Sequence, residues 1–202
     1  MQKIMFNERY GLQSAVFEGR KTQTRREPFY AESVCCEFNR QGKLECFTYD
    51  DEREYPIHTS RYAKGEIVAV AQSYKEIGLD PNQCVGTIDY GGNMYMPLCA
   101  GESKGWNNKM FVLADEMPHH IKILDIRCER LQDISESDCI KEGISYSASA
   151  YYSCELWDKK KNIVHFNFSP KGAFCTLMGK LNGNKFWESN PYVIVYEFKK
   201  ID

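Results

Sequence analysis

The chain has 202 residues, a formal net charge of −2, 43% hydrophobic residues and 27% charged residues. This composition excludes a disordered polymer and predicts a folded globular protein. The near-neutral total charge excludes bulk attraction to polyanions, so a nucleic-acid surface would have to be a local patch. We see no apolar run long enough to span a membrane and no apolar leader, and we therefore expect a cytoplasmic protein that does not contact a membrane.

The first predicted element is a helix that leads into a strongly basic stretch. Asn7 can cap a helix extending to about Glu18, and Gly19 permits the chain to leave it. The stretch Gly19–Arg26 then contains four cations and no apolar side chain. Such a composition does not build a core, so we expect the stretch to face solvent or a ligand. It is either a solvated basic loop or an anion-binding surface.

Residues 27–60 are polar and irregular and are expected to form an insertion. A hairpin is predicted around Gln41 and Gly42, and the acidic run Asp50–Glu54 is predicted to be a solvated loop. The chain has nine cysteines, an odd number, without C-x-x-C spacing, which is typical of reduced thiols. A zinc site would draw on four residues of this insertion: Cys35, Cys36, Cys46 and His58. Adjacent cysteines are poor tetrahedral ligands, and we predict neither a metal site nor a cofactor.

The middle of the chain holds a buried strand and a second insertion. The near-continuous apolar run Ile67–Ala71 predicts a strand that is either covered on both faces or closes a barrel. Residues 76–110 are rich in glycine and predict short hairpins within this insertion. Two aromatic residues of this region, Tyr74 and Trp106, are candidates for stacking on nucleic-acid bases.

A long strand and a short helix follow. Alternation of apolar and polar residues predicts a strand over Ile121–Arg130. Ser135 is expected to cap a short helix that Gly143 ends. Glu142 then lies in the last turn, where its carboxylate faces the negative end of the helix dipole. An unfavourably placed carboxylate indicates either a functional role or an exposed residue at a frayed helix end.

The C-terminal part predicts a helix and a closing strand. Ser169 and Pro170 are typical of a helix start, and Tyr192–Phe198 alternates as a strand does. Together the elements predict an α+β protein: a small mixed β-barrel with short peripheral helices and insertions at about 27–60 and 76–117. The strands are too few and too widely separated for a doubly wound sheet.

Three separated parts of the sequence resemble the ASCH domain family, which has a PUA-like β-barrel fold. They are the basic stretch Gly19–Arg26, the blocks from Val68 (after Lys64–Glu66) and from Ile126 to Gly143, and the ending Trp187–Phe198. The ending is similar to the longer ASCH proteins of phages, prophages and gut bacteria. The resemblance covers about half of the chain and implies a single ASCH domain over residues 1–202, with the two insertions as additions.

The resemblance also implies a function. ASCH domains are regarded as RNA-binding modules, and some small bacterial members remove the acetyl group from N4-acetylcytidine. Those enzymes use a Lys and a Thr three positions apart in the basic motif and a Glu near the end of the short helix. In this chain the matching residues are Lys21, Thr24 and Glu142.

Two functions of different classes follow as expectations. In an RNA- or nucleoside-binding module, the basic stretch would contact phosphate through Arg20, Arg25 and Arg26, while Tyr74 and Trp106 would stack on bases. A protein-binding accessory role remains a third alternative, favoured by an exposed apolar patch away from the basic stretch.

In an amidohydrolase acting on a modified pyrimidine nucleoside, Lys21 would be the base, Thr24 the nucleophile, and Glu142 would orient the substrate or relay a proton. If residues 21–26 formed a regular strand, however, Lys21 and Thr24 would point to opposite faces. The enzyme hypothesis therefore requires a turn within this stretch.

Overall fold

The computed structural model describes residues 1–48, 56–89, 95–147, 150–153, 157–158, 163–164 and 167–202, so the predicted acidic loop Asp50–Glu54 lies outside the described residues. The helices are α1 (Leu12–Phe17), α2 (Glu136–Lys141), α3 (Pro170–Asn182) and α4 (Asn184–Ser189). The strands, in chain order, are β1 (Gln2–Ile4), β2 (Gln23–Phe29), β3 (Cys35–Phe38), β4 (Leu44–Phe47), β5 (His58–Thr59), β6 (Ile67–Val70), β7 (Cys84–Asp89), β8 (Tyr95–Cys99), β9 (His120–Arg130), β10 (Ile144–Ser147), β11 (Ala150–Ser153), β12 (Trp157–Asp158), β13 (Ile163–Val164) and β14 (Tyr192–Lys200).

The predicted α+β class is confirmed by this mixture of sheets and short helices. The sheets of the described residues are open, and no closed barrel is found among them. The chain divides into two compact units, the smaller comprising Met1–Phe6, Ile67–Ile121 and Ile201–Asp202, and the larger Asn7–Glu66 and Lys122–Lys200. Within the described parts of the chain, no helix combines the length and the apolar character that a membrane crossing needs.

The smaller unit contains a parallel strand pair and a hairpin. Strand β1 pairs with β6, with Gln2 opposite Val68 and Ile4 opposite Val70. Strands β7 and β8 form an antiparallel hairpin within the predicted second insertion. A small apolar core holds this unit together and consists of Ala69, Ala71, Tyr74, Val85, Ala100, Val112 and Met117.

The larger unit is built on a sheet in the order β9, β14, β2. The alternation of β14 buries Ile194, Tyr196 and Phe198 on one face and Val193 and Val195 on the other, so both faces of the sheet are covered. The predicted hairpin around Gln41 and Gly42 is confirmed, since β3 and β4 pair antiparallel on either side of it, and β5 extends this small sheet.

The helices of the larger unit are short and well capped. The predicted helix from Asn7 to Glu18 is interrupted at Gly11, whose φ of 64° separates a 3₁₀ turn from α1. Ser135 caps α2 through the N–H of Asp138, and Gly143 follows with a φ of 100°, as predicted. Ser169 caps α3, whose first residue is Pro170.

Strand β2 contains a bulge that matters for the site. Arg26 lies opposite Ile194 and Phe29 opposite Tyr192, so three steps along β2 match two steps along β14. Glu27 is the residue with unusual geometry, since its φ is 56° in the left-handed region that non-glycine residues rarely adopt. The bulge turns Glu27 toward the face that carries Tyr196.

Candidate active site

Lys21 lies in the turn between α1 and β2 rather than on the strand. Its backbone N–H donates to the carbonyl oxygen of Ala15 over 2.9 Å, and the N–H of Thr22 donates to the carbonyl oxygen of Lys141 over 2.8 Å. Strand β2 begins only at Gln23. The alternation of a strand therefore does not apply to Lys21, and the turn that the enzyme hypothesis requires is present.

Glu142 directly follows α2 and ends it. Its N–H donates to the carbonyl oxygen of Asp138 over 2.8 Å. The backbone bond of Thr22 to Lys141 ties this helix end to the start of β2, so residues far apart in sequence are held side by side.

Lys21 and Glu142 form a buried ion pair. The Nζ atom of Lys21 lies 2.5 Å from Oε2 of Glu142 and 2.8 Å from its carbonyl oxygen. Only 2% of the Lys21 side chain and 4% of the Glu142 side chain are exposed. The expectation that the basic stretch faces solvent is therefore wrong for Lys21, because the polar contacts of its amine are made inside the protein.

Arg25 extends this pair into a larger arrangement. Its guanidinium donates to Oε1 of Glu142 over 3.0 Å and to Oε1 of Glu129 over 2.5 and 2.9 Å, and it lies 3.4 Å from Oδ2 of Asp138. The Arg25 side chain is 1% exposed, so the solvent-facing expectation is wrong here too. We call the set Lys21, Arg25, Glu129, Asp138 and Glu142 the ionic cluster.

Arg127 closes the rim of the ionic cluster. Its Nε donates to Glu129 over 3.0 Å and one of its terminal nitrogens donates to Asp138 over 2.8 Å. With 34% of its side chain exposed, Arg127 meets solvent while Arg25 does not. Each carboxylate of the ionic cluster thus has an arginine or lysine partner. The ionic cluster is therefore poorly suited to bind a metal cation.

Burial shifts the protonation of Lys21. Loss of hydration lowers the pKa of its amine below the ordinary value, an effect that the carboxylate of Glu142 opposes and that the charges of Arg26 and Arg25 reinforce. A lysine whose pKa is lowered gives up its proton more readily than an exposed one. This is the property that a lysine needs to act as a general base.

Thr24 and Arg26 lie on the other face of β2. Thr24 is directly opposite Tyr196, whose face it shares, while Arg25 pairs with Val195 on the reverse. Thr24 is 5% exposed, and within the described part of the chain its hydroxyl makes no hydrogen bond that joins it to Lys21 or Glu142. The structure thus joins two of the three residues implied by the resemblance through hydrogen bonds, and leaves Thr24 outside that contact.

The remaining predicted binding residues are dispersed. Arg20 is exposed and donates to Glu18 over 2.6 Å and to Ser145 over 3.2 Å. Tyr74 is 1% exposed in the core of the smaller unit, where its hydroxyl accepts from the N–H of Leu113, so it has no open ring face for a base. Trp106 is half-buried against the same core. The roles of these residues in binding stay predictions.

Two polar features were missed by sequence reasoning. Arg127 and Glu129 alternate along β9, a spacing that places charges on one strand face and that we read only as a strand. The bulge residue Glu27 accepts from the Tyr196 hydroxyl over 2.6 Å and from the N–H of Arg61 over 3.1 Å. Burial and the bond to Glu27 raise the pKa of Tyr196. Nothing in the local sequence signals this second contact, because the left-handed geometry at Glu27 arises from strand pairing.

The structure also brings three thiols together. The Sγ atoms of Cys36, Cys46 and Cys128 lie within 4.8 Å of one another, the one such set of possible metal ligands among the described residues. The sequence predicted no metal site and considered only the cysteines of the first insertion, so it missed Cys128.

Comparisons of the chain with known protein families, with curated proteins and with solved structures found no significant match.

Proposed function

We propose that the chain is an ASCH-type, PUA-like protein that recognises a pyrimidine nucleoside, free or within RNA, at the ionic cluster. The observation that carries the proposal is the direct contact between Lys21 and Glu142, which are 121 positions apart. These are two of the three residues that the resemblance to ASCH amidohydrolases singles out for the site, the third being Thr24. The single PUA-like barrel over residues 1–202 belongs to the same proposal.

The burial of the cations favours a compact ligand over a phosphate backbone. Electrostatic tracking of a nucleic-acid strand uses exposed lysines and arginines that release counterions. Lys21 and Arg25 are 2% and 1% exposed and are held by carboxylates. Charges in this setting suit the recognition of a few heteroatoms on a base edge.

The chemistry of the pair matches the edge of cytosine. A carboxylate accepts hydrogen bonds from an exocyclic amine, and a lysine amine donates to a ring carbonyl. Glu142 and Lys21 supply one group of each kind. A ligand would replace the hydrogen bonds between Lys21 and Glu142 with hydrogen bonds to the base. A base that could not form these bonds would leave buried polar groups unpaired, and the site would therefore select against it.

Amide hydrolysis is the second candidate, and the lowered pKa of Lys21 favours it. In this reaction the neutral amine of Lys21 takes the proton of the Thr24 hydroxyl, and the oxygen attacks the acyl carbon of an N4-acylated cytidine. The bond between the acyl carbon and N4 then breaks, and the proton passes to N4. Water hydrolyses the acyl ester on Thr24 and releases the acid. Because Thr24 lies on the opposite face of β2 from Arg25, this reaction requires the start of β2 to rearrange on substrate binding so that Thr24 comes within hydrogen-bond reach of Lys21.

Turnover and binding of N4-acetylcytidine test both candidates. The variants are Lys21→Met, Glu142→Gln and Thr24→Ala, and the control is Lys64→Met, whose lysine pairs with Asp125 at the surface. Circular dichroism establishes that each variant is folded. We expect wild type and Lys64→Met to bind the nucleoside, and Lys21→Met and Glu142→Gln to bind at least about tenfold more weakly.

The outcomes separate the candidates. Release of cytidine by wild type and Lys64→Met, with loss in the three site variants, supports hydrolysis. Saturable binding without release, sensitive to Lys21→Met, supports recognition alone. An RNA affinity that falls steeply with salt and is unchanged in Lys21→Met and Glu142→Gln would instead indicate an interaction with exposed cations and contradict the proposal.

A further inference from the structure

Three cysteines from three strands of the larger unit converge at one point. Cys36 on β3 and Cys46 on β4 are directly paired across the hairpin, and their Sγ atoms are 3.0 Å apart. Cys128 comes from β9, and all three Sγ atoms lie within 4.8 Å of one another. Neither a hairpin nor a sheet requires three thiols to meet in this way.

The thiols are separate from the ionic cluster. Side chains alternate along a strand, so Cys128 points away from the face on which Glu129 contacts Arg25 and Arg127. The site therefore uses no residue of the proposed nucleoside pocket, and its function is independent of that proposal.

The distances between the sulfur atoms suit a tetrahedral ion. A Zn–S bond of about 2.3 Å and tetrahedral angles place two sulfur ligands about 3.8 Å apart. The Cys36–Cys46 separation of 3.0 Å is shorter than this value, and all three separations are at most 4.8 Å. Binding of an ion therefore requires the sulfurs of Cys36 and Cys46 to move slightly apart, which rotation of their side chains allows.

We propose that Cys36, Cys46 and Cys128 bind one zinc ion through three thiolates, with a fourth position open to water. Cys36 is exposed and Cys128 half-buried, so an ion can enter from solvent, while the fully buried Cys46 anchors the inner side. Thiolates are soft ligands that select zinc over magnesium or calcium.

The earlier objection to adjacent cysteines does not apply to this set. Cys35 and Cys36 point to opposite faces of β3, and the Sγ of Cys35 instead lies 3.7 Å from the carbonyl oxygen of Phe47. His58, once considered as a ligand, stacks on Phe29 and contacts Glu27. The third ligand is therefore Cys128, which sequence spacing does not reveal.

A disulfide between Cys36 and Cys46 is the competing state. It would use two of the three thiols and leave the convergence of Cys128 without a role. Zinc uses all three and is compatible with reduced thiols, which is why the arrangement favours the ion.

Zinc binding by the full chain tests the proposal. Protein that has been reduced and freed of metal is titrated with zinc in competition with a chromophoric chelator, and with cobalt to observe thiolate-to-metal charge-transfer absorption. The variants are Cys36→Ser and Cys128→Ser, and the matched control is Cys35→Ser on the neighbouring position. Cys46 is left intact because it is fully buried.

We expect one zinc ion per chain in wild type and in Cys35→Ser. Loss of a ligand in Cys36→Ser or Cys128→Ser should weaken binding at least about tenfold, since even partners outside the ligand set cost that much. Cobalt should give thiolate charge-transfer bands in wild type that diminish in both ligand variants.

Three results would overturn the zinc site. One is the absence of binding by wild type whose nine thiols are shown by alkylation to be reduced. Another is an equal loss in Cys35→Ser and Cys36→Ser, which would indicate nonspecific thiol binding. The third is a Cys36 to Cys46 disulfide in protein isolated with zinc present, detected by mass spectrometry of unreduced peptides.

Discussion

The carboxylate of Glu142 accepts hydrogen bonds from Lys21 over 2.5 Å and from Arg25 over 3.0 Å, and in doing so joins the end of a short helix to the start of a strand. Two cations share one buried anion in this arrangement. A buried ion pair of this kind is costly to break because the surviving charge stays inside the protein.

A double-mutant cycle on Lys21 and Glu142 should reveal strong coupling. We expect Glu142→Gln to lower the free energy of unfolding by about 3 kcal/mol or more, because Lys21 and Arg25 lose a buried anion. Adding Lys21→Met should recover part of this loss, giving a coupling energy of about 1–3 kcal/mol in urea unfolding.

The exposed pair of Lys64 and Asp125 is the matched control for this cycle. Its atoms are 2.8 Å apart, but about half of each side chain is exposed, at 53% and 50%. Its coupling should be no more than about 1 kcal/mol. Equal coupling in the two cycles would contradict the role that we assign to burial.

Stability should depend on pH through Lys21. Because the pKa of Lys21 is lowered in the native state from an ordinary value of 10.5, the unfolded chain binds this proton more tightly. Below the native pKa both states carry the proton and the native state bears the cost of the buried charge. The contribution of Lys21 to the free energy of unfolding therefore rises with pH between its pKa in the native state and its pKa in the unfolded state.

The measurement is the difference in free energy of unfolding between wild type and Lys21→Met across neutral to alkaline pH. The difference should shift in favour of wild type as pH rises, since the groups that both proteins share cancel. A difference independent of pH, or one that shifts in favour of Lys21→Met, would show that the pKa of Lys21 is not lowered.

Arg25 and Arg127 should differ in importance although both bridge Glu129 and Asp138. Arg25 is 1% exposed and contacts both Glu129 and Glu142, so Arg25→Met removes a buried cation from these carboxylates and should cost about 3–5 kcal/mol. Arg127 is 34% exposed, so Arg127→Met should cost about 1 kcal/mol or less. Urea unfolding of the two variants compares them directly, and a ranking in the reverse order would contradict the assignment of Arg25 to the centre.

Tyr196→Phe should destabilise the larger unit. The hydroxyl donates to Glu27 and accepts from the N–H of Arg61, so its removal leaves polar groups with fewer partners at a cost of about 1–3 kcal/mol. Tyr30→Phe is the control, because the Tyr30 residue is 68% exposed and its hydroxyl lies 3.2 Å from the hydroxyl of the surface residue Ser189. Thermal unfolding should place the Tyr30 variant within about 0.5 kcal/mol of wild type.

The sequence predicts elements well where one segment determines them. The caps at Ser135 and Ser169, the hairpin at Gly42 and the strand ending at Arg130 all depend on local backbone preferences and alternation, and each is confirmed. The helix from Asn7 was predicted too long, because the left-handed geometry of Gly11 interrupts it.

The site was predictable only in part. The sequence indicates Lys21 through the family resemblance, and it indicates Glu142 also through its position against the helix dipole. Arg25 was expected to contact phosphate, but it binds carboxylates that β9 and α2 contribute. Such partnerships depend on which strands become neighbours, and a single sequence does not encode that choice in any local pattern. For the same reason, the sequence does not indicate that Cys128 lies beside Cys36.

The bulge at Glu27 makes β2 intolerant of a change in length. Before the bulge, successive side chains lie on opposite sides of the sheet. Arg25 lies on the side of the carboxylates, and Thr24 lies on the side of Tyr196. The extra residue at the bulge shifts this alternation by one position. Glu27 therefore contacts Tyr196 instead of lying on the same side of the sheet as Arg25. With Lys21 held in its turn, deletion of Thr22 or Gln23 would move Arg26 into the place of Arg25 and Arg25 into the place of Thr24, which exchanges the two sides. Relatives of this protein should therefore vary in the side chains of the segment but preserve its count.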